Sequence, residues 1–126
     1  MKYAVIIAGG LLGLLFIFAG VAYFAMPEQP MPFPPGSPPA LLMAVWGPTH
    51  FMTFVKVFEI LGGLLTAMPK TRNFGLLILG PIIINIIAFH GLIAKAGLFD
   101  PMLIAICVIA LFLLWAGRKA FAGLLN

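Results

Sequence analysis

The chain has 126 residues, of which 63% are hydrophobic and only 8% charged, with a mean hydropathy of +1.20. No soluble domain of this size keeps so much apolar surface from water, so the composition excludes an ordinary soluble globular protein. The formal charge of +4 resides mostly in lysines and arginines flanking apolar segments, and with no basic–aromatic motif it implies no nucleic-acid partner.

Four apolar segments follow one another: Tyr3 to Met26, Pro48 to Met68, Phe74 to Ala94 and Pro101 to Gly117. At about 1.5 Å rise per residue, the first three match a hydrocarbon core of about 30 Å, and the fourth reaches it with its flanks. The first resembles a secretory signal in having Lys2 before an apolar stretch. That stretch exceeds the roughly 7–15 residues of a signal h-region, which predicts a retained helix.

Between the first two segments, Met26 to Pro39 contains seven prolines in fourteen residues, so extended polyproline geometry is expected. Such a segment suits a stiff connector, a lid over a cavity, or a docking strip for a partner. Ser37 before Pro38 signals a short helix from Pro38 to Trp46, and Pro48 either separates it from the second span or kinks one long helix. Pro27 and Pro69 end the first two spans, Asn73 is placed to cap the third, and Gly97 suits its end. Asp100-Pro101 reads as an N-cap with proline at the first helical position.

Lys2, Lys70, Arg72, Arg118 and Lys119 fall on one side of four crossings, leaving Glu28, Lys95 and Asp100 on the other. The positive-inside rule then gives an all-α, integral membrane four-helix bundle with both termini cytoplasmic and the proline-rich loop exoplasmic. The whole chain is one multi-pass domain of the cell membrane.

Ionisable groups at membrane depth are costly, which singles out Lys56, Glu59, Asn85 and His90. Lys56 and Glu59 are three apart on one helix and can pair, with Thr53 one turn outward. Pro81 removes a helical donor and is expected to kink the third helix, and Asn85 shares its face. Antiparallel packing puts Asn85 level with Glu59, and His90 slightly outward of Lys56. Asn85 and His90 lie about 140° apart at about 100° per residue, which points them toward different neighbours. Two readings arise: the four groups pin helices in register, or they line a pocket or proton path, with Phe89 as further lining. Imidazoles exchange protons near neutral pH, which suits His90 to the second.

Cys107 is the single cysteine, so neither an intrachain disulfide nor a dithiol motif exists, and His50 and His90 lack companions at metal-ligand spacing. Gly9-x-x-x-Gly13 permits close helix contact.

The stretch Lys56-Val-Phe-Glu59-Ile-Leu-Gly62-Gly63, then Pro69-Lys-Thr-Arg72, then Gly75-Leu-Leu and Pro81-Ile-Ile-Ile-Asn85-Ile-Ile-Ala-Phe89-His90 resembles the DoxX-like family of small four-helix membrane proteins. Leu12-Gly13-Leu-Leu-Phe16 and Leu114-Trp115-Ala-Gly-Arg118-Lys119 fit as well, although a basic residue common at the start of the family's first helix is missing. The resemblance implies the four-helix fold and association with membrane redox systems, the family name deriving from a subunit of a thiosulfate:quinone oxidoreductase. It supplies no catalytic residues. Its implied function is a small membrane subunit or accessory protein whose middle hairpin meets a quinone-like ligand, in contact with a soluble or membrane redox partner or a second copy. The chain has no motif for an electron carrier of its own, so a partner must supply one. The competing expectation is a non-enzymatic scaffold or small carrier.

Overall fold

A computed structural model describes residues 1–26 and 30–125, so Pro27, Glu28 and Gln29, the first two assigned to a helix end and an outer loop, lie outside the described residues, as does Asn126. Everything regular among the described residues is helical. The elements are α1 (Lys2–Ala25), α2 (Pro38–Trp46), α3 (Phe51–Ala67), α4 (Arg72–Ala88, continued by a π-helical turn over Phe89–Ile93), α5 (Pro101–Ala116) and α6 (Arg118–Ala122), with a final 3-10 turn at Gly123–Leu125.

Two of these, Lys2–Ala25 and Arg72–Ile93, are long and apolar enough to cross a membrane unaided, and the number rises to four if each bent helix pair is one span. The second segment departs from the expected Pro48–Met68 helix. It begins only at Phe51, and α2 meets it at 84°. Pro48 lacks the N–H that would bond to Ala44, and His50 adopts the left-handed conformation (φ 61°), so the chain turns a corner between two helices. With 17 residues, α3 alone spans about 25 Å, short of a full core. A similar corner of 71° separates α5 from α6 at Gly117.

Caps follow local chemistry. Asp100 Oδ1 accepts from the Met102 backbone N–H at 2.8 Å, with Pro101 at the first position of α5. Ser37 stands at the N-cap of α2, but its hydroxyl donates to Pro34 O at 2.6 Å. Asn73 is not the cap of α4: the helix already starts at Arg72, Thr71 holds the cap position, and the Thr71 hydroxyl donates to Leu65 O at 2.8 Å. Pro81 sits inside α4, which continues through it as one helix.

α1 packs against α3 and α5, and α4 against the same two, so the long helices form a closed ring. The tightest seam joins α1 to α3, where a Cβ on Gly63 would lie 2.7 Å from Gly13 O. Bare backbones can approach this closely only where no side chain intervenes. Leu12 and Phe16 of α1 meet Leu76, Leu79 and Ile83 of α4, and Ala110 and Leu113 of α5, in the core. Cys107 packs partly buried beside them. Outward-facing side chains are equally apolar: Phe18 is 72% exposed, Ile84 67% and Leu111 65%. Helices apolar on every face are the signature of a lipid environment.

Candidate functional site

The cluster starts from one helical interval. Lys56 Nζ and Glu59 Oε2 are 3.0 Å apart, joining positions three residues apart on α3. Glu59 is only 4% exposed, while the Lys56 side chain retains partial access, so the carboxylate is the deeply held member. A buried carboxylate of this kind is tolerated because its cation is within hydrogen-bond distance.

Both residues line a cavity of about 340 Å³ between α3 and α4, and Asn85, Phe89 and His90 line it too. Asn85 and His90 thus share one space despite the angle between them on an ideal helix. Thr53 does not join them: its hydroxyl shares a 3.2 Å hydrogen bond with Tyr23 OH on α1. The other walls are apolar, from Val55, Ile82 and Ile86.

Sequence reasoning missed the contribution of α2 and the start of α3. Met43 and Trp46 line the cavity, as do Phe51 and Met52, because the corner at Pro48–His50 folds α2 across this end of the hairpin. Trp46 stands 5.3 Å from Phe51, centroid to centroid, at that corner. The proline-rich segment touches the same end, with the Phe33 ring 6.1 Å from Phe89 in an edge-on arrangement. The only sequence signal for this was the helix start at Ser37-Pro38.

Each polar group on α4 is anchored by its own helix. Asn85 Nδ2 donates to Pro81 O at 2.9 Å, and His90 Nδ1 lies 2.8 Å from Ile86 O. A carbonyl only accepts, so Nδ1 carries the hydrogen and Nε2 of a neutral ring is an acceptor. The π turn begins here, with Ala94 N donating to Phe89 O at 2.8 Å; such widened turns recur at functional sites. Gly97 holds the ring from outside. It has φ +85°, and a Cβ there would stand 2.7 Å from His90 Cδ2.

Chemically, the space combines one ammonium, one carboxylate, one amide and one imidazole with apolar walls. Its volume and apolar character are those of a small-ligand site. Among the described residues, no group of three or more His, Cys, Asp or Glu could hold a metal ion. The chain matches no family model, no curated protein and no solved structure.

Proposed function

We propose that the protein is a multi-pass four-helix protein of the cell membrane, DoxX-like in fold, that acts as a small subunit or accessory protein of a redox system and receives a quinone-like head group in the α3–α4 cavity. The observation that carries this reading is the meeting of Lys56, Glu59, Asn85 and His90 in one largely apolar cavity. Polar groups at membrane depth are expensive, and gathering four around a space is a costly arrangement for helix pinning alone. Lys56 Nζ donates to a quinone carbonyl while Glu59 keeps the ammonium oriented. The second N–H of Asn85 donates to the same ring, and His90 Nε2 accepts from a quinol hydroxyl. Electrons come from a redox partner, whose carrier compensates for the absence of any carrier motif in this chain.

The scaffold or carrier reading rests on a specific observation of its own. Lys56 and Glu59 satisfy each other, and Asn85 and His90 each bond to a carbonyl of their own helix. Lipid extraction with mass spectrometry, together with titration of a soluble quinone analogue into Asn85→Leu and His90→Phe, separates the two. The redox reading expects the folded variants to bind at least tenfold more weakly than the parent. If both variants bind as the parent does, the pocket is misplaced; if the parent binds no analogue, the scaffold or carrier reading replaces it.

A further inference from the structure

At the opposite end of the bundle, a second cleft of about 480 Å³ opens where α1 and α4 begin and α5 turns into α6. Lys2, Arg72 and Arg118 line it, beside Val5, Pro69 and Trp115. It lies outside the α3–α4 cavity, whose deepest acidic residue, Glu59, is about 12 Å along α3 from Ala67.

The charge balance of this cleft is one-sided. Arg72 Nε and Nη2 are shielded from water and have no hydrogen-bond partner among the described residues. Arg72 is half-buried, and a cation whose N–H groups have lost water without gaining a partner favours a nearby anion. Of the three acids in the chain, Glu59 is paired with Lys56, Asp100 caps α5, and Glu28 lies outside the described residues. Helix geometry deepens the imbalance. Lys2 and Arg72 are the first residues of α1 and α4, where the backbone dipole is itself positive and anions are favoured. The α4 start has no side-chain cap, since the Thr71 hydroxyl is turned to Leu65 O.

The two arginines are also held in place. A Cβ on Gly9 would stand 2.6 Å from Arg72 Nε, so the Arg72 side chain rests in a notch on α1 that only glycine provides. Arg118 lies 4.5 Å over the Trp115 ring and donates to Trp115 O at 2.8 Å. Planar guanidinium groups fixed in this way match the oxygens of a phosphate.

We propose that this cleft is a binding site for a phosphate-type oxyanion, with Arg72 as its central ligand and Lys2 and Arg118 as its flanks. The headgroup of an anionic lipid and free inorganic phosphate share that chemistry. Val5 and Trp115 add an apolar wall alongside which an acyl chain can lie.

The test uses the full chain in a neutral detergent with three probes: phosphatidylglycerol, phosphatidylcholine with the same acyl chains, and inorganic phosphate. Native mass spectrometry counts bound lipid, and thermal shift follows phosphate. The site predicts retention of phosphatidylglycerol over phosphatidylcholine, or saturable stabilisation by phosphate. Competition between the two tells whether a lipid or the free ion is the better occupant. Arg72→Gln and Lys2→Gln weaken binding at least tenfold, whereas Lys70→Gln and Lys119→Gln, outside the cleft, leave it unchanged. Lys2 is exposed, so its variant reads binding without a folding penalty. Equal retention of the two lipids without phosphate stabilisation, equal losses in the Lys70 and Lys119 controls, or no binding of phosphatidylglycerol and phosphate would each overturn the proposal.

Discussion

Breaking the Lys56–Glu59 pair gives unequal penalties that depend on which partner is removed. Lys56→Met leaves a carboxylate that is 4% exposed without its cation. An orphaned buried charge typically costs about 3–5 kcal/mol, so Lys56→Met is expected to cost about 3 kcal/mol or more. Glu59→Gln leaves Lys56, whose side chain is 21% exposed and long enough to carry its ammonium toward the cavity mouth, while the new amide still accepts a hydrogen bond. Its cost is therefore about 1–2 kcal/mol. For a chain of this size, about 3 kcal/mol corresponds to a drop of roughly 10 °C in thermal midpoint. Thermal unfolding in detergent, followed by circular dichroism, ranks the parent, both single variants and Lys56→Met/Glu59→Gln. The double variant is expected to lose less than the sum, with a coupling of about 0.5–3 kcal/mol. Strictly additive losses, or Glu59→Gln costing more than Lys56→Met, would refute the assignment of Glu59 as the buried and dependent member.

Lys2, Arg72 and Arg118 line one cleft, so a reporter active only outside the cytoplasm is expected to be silent when fused after Asn126 and active when inserted at Gly36; the reverse pattern would invert the proposed topology. Gly63→Ala drives a methyl group to 2.7 Å from Gly13 O and should destabilise the α1–α3 seam by about 1–3 kcal/mol in thermal unfolding. Asp100→Ala removes the 2.8 Å bond to the Met102 N–H and should cost about 0.5–2 kcal/mol, with Asp100→Asn recovering most of it.

Much of this architecture is written in local chemistry. The Asp100-Pro101 cap, the helix beginning at Pro38 and the three-residue spacing of Lys56 and Glu59 each depend only on neighbours along the chain, and all three appear as expected. What was not legible depends on distant partners. Pro48 marks a break, but the 84° corner also needs His50 in a left-handed conformation and α2 packed across the hairpin. Thr53 shares the outward side of the α3 stripe, yet Tyr23 on α1 claims its hydroxyl. On an ideal helix the angle between Asn85 and His90 turns one of them toward a different neighbour; the cavity, closed by α2 and bordered by the π turn, reaches both. Arg72 reads as an ordinary flanking charge in sequence, since the Gly9 notch that holds it lies 63 positions away and on another helix.

Entry of an amphipathic ring into the α3–α4 cavity is directly measurable, because the chain carries its own reporter for that event. Its two tryptophans lie at opposite sites, Trp46 against the cavity and Trp115 in the basic cleft. In Trp115→Phe, titration with a soluble quinone analogue should quench Trp46 fluorescence saturably, and His90→Phe in that background should shift the midpoint at least tenfold. Quenching that stays linear with concentration, or that is matched by Trp115 in a Trp46→Phe protein, would contradict the assignment of the cavity as the binding site.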